Sequence, residues 1–223
     1  KMNKPYYLIA IFAFFIVSCN QEGNERTRVR TTDVEIPDEI PKQPSQQSPQ
    51  QQSPQAISPG IPAEQLFREA CLEGKKEGVN EYITSGIDIS AEDENGRTGL
   101  MLASFNGHTD IVKKLIREGA KINKTDMMGR TSLMYASTGH FPETVKVLLS
   151  HGAETNIIDN VESFTALMFA GAEGNTRVIS LLLDHGADPD LKDKDGDTAE
   201  SFARQNGHND AAELLKKASA NKK

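Results

Sequence analysis

Cysteine is scarce in this chain: Cys19 and Cys71 are the two present, and they lie far apart in unlike contexts. That excludes a disulfide framework, and Cys71, next to Ala70, reads as a small packing side chain rather than a nucleophile. A long hydrophobic run is missing near the start as well. The apolar stretch Leu8 to Val17 has ten residues, about 15 Å as a helix against the ~30 Å of a hydrocarbon core, so it does not span a membrane. Positive charge is in deficit: the formal net charge is −7, and residues 61–217 carry 17 Lys and Arg against 26 Asp and Glu. An acidic surface repels phosphate backbones, which argues against a nucleic-acid partner. There is no Gly-rich phosphate loop and no Gly-x-Ser-x-Gly elbow, two common marks of catalytic sites. Residues 20–60 hold almost no aromatic or large apolar side chains and have little to bury.

The first residues have the form of an address. Met2-Asn-Lys-Pro-Tyr-Tyr precedes the short apolar stretch, which ends in a small residue and a cysteine. Basic start, apolar centre and small residue before a cleavage point describe a secretory signal peptide over 1–18. Its end, Ile16-Val17-Ser18-Cys19, resembles the bacterial lipobox. That resemblance implies that Cys19 becomes the lipidated first residue of the mature protein. A multi-chain lipid buries enough CH₂ groups for stable attachment, as a single acyl chain does not. Asn20 in the following position leans, by the same resemblance, towards the outer membrane or periplasm rather than the inner membrane. Residues 19–60 then form a tether. The part from Pro41 to Pro62 is rich in Gln, Pro and Ser and is expected to be disordered with polyproline II bias, its prolines blocking strand pairing. About 41 flexible residues have an r.m.s. reach of roughly 35 Å.

From residue 61 onward, near-identical phrases return every 33 or 34 residues. Asp93-Glu-Asn-Gly-Arg-Thr-Gly-Leu-Met-Leu-Ala103 is followed by Asp126-Met-Met-Gly-Arg-Thr-Ser-Leu-Met-Tyr-Ala136, then Phe164-Thr-Ala-Leu-Met-Phe-Ala170, then Asp193-Lys-Asp-Gly-Asp-Thr198 to Ala203. Such a period marks a solenoid, in which each unit buries its apolar face only against its neighbours. Thr98, Thr131, Thr165 and Thr198 stand where a hydroxyl can cap a helix. Leu100, Leu133 and Leu167 with Ala103, Ala136, Ala170 and Ala203 share one face of a short first helix. Val112, Leu115 and Ile116, then Val145, Leu148 and Leu149, then Ile179, Leu182 and Leu183 make a buried stripe on a second helix. Gly96, Gly129 and Gly196 suit a turn needing positive φ, and Gly119, Gly152 and Gly186 suit left-handed helix ends.

In these residues the chain resembles the ankyrin repeat family. The resemblance covers 61–217 and divides it into repeats at 61–92, 93–125, 126–158, 159–192 and 193–217, with a tail at 218–223. It implies a mainly α solenoid of about five helix-turn-helix repeats joined by short β-hairpin loops. The family's Pro after Thr is Gly99, Ser132, Ala166 and Ala199 here, and its His is Met101, Met134, Met168 and Ser201. Repeat four carries one extra residue within Val161-Glu162-Ser163-Phe164 and lacks the turn glycine, so its hairpin is expected to bulge.

Residues that suggest chemistry are absorbed by this frame. His108 and His208 follow the interhelix Gly, His140 stands where Gly is usual, and His151 and His185 fall about 10 Å apart in adjacent repeats. Zinc needs its ligands ~2 Å from one centre. Asp188 to Asp197 fails as a calcium loop, because Leu191 and Phe202 take the first and last ligand positions. The expectation is a monomeric binding module without catalysis, cofactor, metal or small-molecule substrate, whose partner is another protein.

In the family, partners meet the hairpin tips and the concave side of the first helices. The matching tip positions are Glu94, Asn95 and Arg97; Met127, Met128 and Arg130; Val161, Glu162 and Phe164; and Lys194, Asp195 and Asp197. The matching helix positions include Phe105, Asn106, Thr138, Gly139, Ala172, Glu173, Gln205 and Asn206. Phe105, Met127, Met128 and Phe164 are apolar where solubility alone favours polar residues, so with Arg97 and Arg130 they are expected to form an anchor patch. Thr138, Lys194, Asp197 and Gln205 complete the expected contact surface. Two roles fit: a lipid-anchored module of the bacterial envelope that captures, inhibits or shields a protein, or an adaptor that holds an envelope complex together.

Overall fold

Threonine begins four of the helices, and its hydroxyl explains why they start there. Thr98, Thr131, Thr165 and Thr198 are extended residues whose Oγ1 accepts the backbone N–H three positions on, at 3.4, 3.3, 3.2 and 3.3 Å. Each bond satisfies a donor that the first helical turn would leave open. The computed structural model describes residues 61–221, so the signal peptide, Cys19 and the tether lie outside the described residues. Among the described residues ten helices follow in pairs, one pair to each predicted repeat. They are α1 (Ala63–Glu73) and α2 (Lys76–Thr84); α3 (Gly99–Phe105) and α4 (Thr109–Arg117); α5 (Ser132–Ser137) and α6 (Pro142–Ser150); α7 (Ala166–Ala172) and α8 (Thr176–Asp184); and α9 (Ala199–Gln205) and α10 (Asn209–Asn221). The last helix runs on to Asn221, so residues 218–221 extend it rather than forming a tail.

The first helices stack on one another, α3 on α5 and α8's partner α7 on α9, and the second helices form a parallel outer layer. Ala103, Ala136, Ala170 and Ala203 are fully buried, which lets successive first helices approach closely. Leu100, Leu133 and Leu167 fill the space between layers, with Val112, Leu115, Val145, Leu148, Ile179 and Leu182 from the second helices. Ile116 and Leu183, expected in the same stripe, sit at its edge and are half-buried. Met101, Met134 and Met168 replace the family's His inside the core, and the Met101 thioether also lies 3.5 Å from the Thr98 N–H as a weak acceptor.

Asparagine supplies the polar ties between repeats. Asn123 donates to Gly152 O at 3.1 Å and accepts from the Glu154 N–H at 3.0 Å. One repeat later, Asn156 donates to Gly186 O at 3.1 Å and accepts from the Asp188 N–H at 2.8 Å.

The loops between repeats differ from the expected β-hairpins. Among the described residues the only bridge outside the helices joins Thr125 and Thr131. An aspartate closes each tip instead, which removes the need for a strand ladder. Asp93, Asp126, Asp159 and Asp193 each bond through the backbone N–H to the residue that ends the loop, at 2.9–3.0 Å. Each also folds Oδ1 back onto loop amides, as Asp93 does with those of Asn95 and Arg97 at 2.9 and 2.8 Å.

The fourth tip has the extra residue, yet it keeps the glycine-type turn. Ser163 takes φ 64°, alone among the described non-glycine residues, where the other tips use Gly96, Gly129 and Gly196 at 76°, 78° and 88°. The extra residue is identified by the bonds between tips. Met127 N–H donates to Asn95 O, Asn160 N–H to Met128 O and Lys194 N–H to Glu162 O, at 3.0, 2.8 and 3.0 Å. Glu162 therefore plays the part of Asn95 and Met128, and Val161 is the residue pushed out. A serine in the left-handed region pays a steric penalty that glycine avoids, partly offset by glycine's greater chain entropy. Ser163→Gly should accordingly stabilise the fold by about 0.5–1 kcal/mol, read as a higher urea midpoint at unchanged slope.

Candidate partner-binding surface

Met127 and Met128 are 73 % and 45 % exposed on the third tip, and the bond from Asn160 N–H to Met128 O sets the fourth tip beside it, where Val161 is 36 % exposed. Ile158, two positions before Asn160 at the base of the same fourth tip, is 49 % exposed. By position, these four exposed apolar side chains of the adjacent third and fourth tips define an apolar strip. Sequence reasoning missed Ile158, whose counterparts Thr125 and Lys192 are polar; that contrast was the available signal.

Phe164 and Arg130 do not join the strip, which corrects the expected patch. Phe164 is buried at 7 % exposure, its ring edge-on to Phe169 at 5.6 Å and to Phe202 at 5.1 Å. It serves as a core residue between repeats four and five. Arg130 is buried because of a competition for its own aspartate. In repeat two, Arg97 Nε pairs with Asp93 Oδ2 at 2.6 Å. In repeat three the equivalent oxygen of Asp126 accepts the Tyr135 hydroxyl at 2.6 Å. Arg130 turns to the next repeat instead, with Nε 3.6 Å from Asp159 Oδ2 and its guanidinium 5.7 Å from the Phe169 ring centroid. At that separation the charges attract but form no hydrogen bond, and among the described residues neither atom has a hydrogen-bond partner. Burial, then the Asp126 carboxylate, pushes the Tyr135 phenol far above its usual range, so it remains a donor.

The other expected contacts are spread more widely. Phe105 is half-buried, edge-on to Tyr135 at 6.1 Å. Arg97 is turned in against Asp93, with its side chain 12 % exposed. Thr138 is half-buried and donates to Tyr135 O at 2.8 Å. Lys194 is exposed and its ammonium bonds to Val161 O, bracing the extra residue. Asp197 is half-buried, and Gln205, which is exposed, donates to it at 3.4 Å. The exposed apolar residues of these tips are thus Met127, Met128, Ile158 and Val161, while Phe164 and Arg130 are buried.

Three of the histidines make structural hydrogen bonds. His108 Nε2 donates to Leu72 O at 2.9 Å, and His151 and His185 each donate Nδ1–H to a carbonyl of their own helix at 2.8 Å. Burial pushes the Cys71 thiol up to about 12, only partly offset by Arg68, which leaves it a poor nucleophile at neutral pH. Glu173 is half-buried, and burial raises its carboxyl above the usual range against the opposing pull of His140 and His208. The folded state therefore holds that proton more tightly than the unfolded chain, and stability falls as pH rises through the folded value. Glu173→Gln should raise the thermal midpoint at pH 7, and the gain should close below about pH 4, where glutamate is protonated in both states.

A family model for ankyrin repeats, in three copies, matches residues 67–159 and 143–223. No curated protein matches the chain. The model covers the helix pairs, the threonine caps and the tips described above. The chain belongs to the ankyrin repeat family, whose stacked repeats form a protein–protein interaction module.

Proposed function

We propose that this chain is a lipid-anchored module of the bacterial envelope that captures a partner protein on the strip Met127, Met128, Ile158 and Val161 and inhibits or shields it. The observation that carries this reading is the exposure of four large apolar side chains on two adjacent tips, where among the described residues Ile61 is the one other large apolar side chain so exposed. Exposed apolar clusters of this kind mark interaction sites, and flexible methionines adapt to the surface they meet. The address rests on Ile16-Val17-Ser18-Cys19 and on Asn20 after it, which favours the outer membrane or periplasm.

Two experiments test the halves separately. A photo-crosslinking residue at Met127 should trap one discrete partner in envelope extract, whereas the same group at Lys146, exposed on α6, should not. Equal labelling from both positions would contradict capture at the tips. Metabolic labelling with a palmitate analogue should mark the wild type and not Cys19→Ala; label that persists in the variant refutes the anchor.

A further inference from the structure

The residue before the turn between paired helices is polar in four repeats: Glu73, Asn106, Glu173 and Asn206. Three of them are engaged. Asn106 donates to Leu72 O at 2.7 Å and Asn206 to Ala172 O at 2.8 Å, each tying its repeat to the one before, and Glu73 pairs with Lys75. In repeat four the tie is made two residues later. Asn175 donates to Gly139 O at 3.2 Å while its Oδ1 caps α8 by accepting the Val178 N–H at 3.2 Å. That leaves the Glu173 carboxylate without a structural task. Among the described residues it has no hydrogen-bond or ion-pair partner, and only the charges of His140 and His208, on the turns of the flanking repeats, act on it.

A half-buried carboxylate with no partner costs stability, because it loses water without gaining a counter-charge. The cost is removed when a cation arrives. We propose that Glu173 is the receptor for a basic side chain, an arginine or lysine of the partner protein, docking at the turn between α7 and α8. Charge complementarity supports a basic partner, since residues 131–217 carry 14 Asp and Glu against 7 Lys and Arg. This inference rests on the reading of the chain as a partner-binding module and names the chemistry of that partner.

The test uses the full chain in detergent micelles with side-chain carboxylates of glutamate labelled for NMR. The probe is a glycine pentapeptide with one central arginine, and the control carries citrulline, its uncharged isostere. Glu173 should shift saturably with the arginine peptide at pH 7.5, its titration midpoint should fall, and the citrulline peptide should leave it unmoved. A response at Glu173 no greater than at exposed Glu81, or an equal response to citrulline, would overturn the proposal. Neither result depends on the crosslinking at Met127, so failure of this site and failure of tip capture are told apart.

Discussion

Asp159→Ala should lower stability by about 3–5 kcal/mol, the range seen when one partner of a buried ion pair is removed. The side chain has two tasks. Its Oδ1 accepts the amides of Val161, Glu162 and Phe164 at 3.2, 2.9 and 3.2 Å, which holds the longer tip closed. Its Oδ2 faces Arg130 with both side chains almost fully buried, at 1 % and 6 % exposure. Alanine opens the tip and leaves buried Arg130 Nε, which has no hydrogen-bond partner among the described residues, without its counter-charge. For a domain of this size each kcal/mol moves the thermal midpoint by about 2–4 °C, so a fall on the order of 10 °C is expected. Asp159→Asn keeps an oxygen for the amides and should cost less. Combining it with Arg130→Met removes both charges, and the pair should recover much of the loss. If Asp159→Ala unfolds at the wild-type midpoint, the reading of this pair as the link between repeats three and four is wrong.

The second large effect concerns binding. Met127→Gln, Met128→Gln and Val161→Thr together should weaken partner binding by about 2–4 kcal/mol, or roughly 30- to 1000-fold in Kd. The effect should fall on dissociation rate, as truncation of a packed apolar contact does. Stability should stay within about 0.5 kcal/mol, since these side chains are exposed and leave the core untouched. Phe164, by contrast, packs on two aromatic rings. Phe164→Ala should therefore destabilise the stack, and any binding defect would be indirect.

The helices were legible because their causes are local or periodic. A threonine caps its own helix, and an alanine recurring every 33 or 34 residues faces the same neighbour each time. The tips were harder, because a tip side chain is decided by residues one repeat away. Arg97 and Arg130 look equivalent in sequence, but Tyr135 takes the Asp126 oxygen and sends Arg130 inward towards Asp159. Phe164 looked exposed because its counterparts are Arg97, Arg130 and Asp197, and nothing in the repeat pattern announces its contact with Phe202 at 5.1 Å. The extra residue in repeat four was visible, but its consequence was not. Ser163 accepts the left-handed turn, so the insertion displaces Val161 into the apolar strip rather than distorting the closing residue. Glu173 was placed among the contact positions by its repeat register. Its lack of a partner shows only once Asn175 is seen to make the tie to Gly139.

Quantitative affinity capture from envelope extract, comparing the wild type with the Met127, Met128 and Val161 triple variant, tests the central claim most directly. The proposal predicts that at least one protein captured by the wild type, and crosslinked from Met127, is lost from the variant while its thermal midpoint is unchanged. An identical captured set from a fully folded variant would contradict the claim that the apolar strip is where this protein binds.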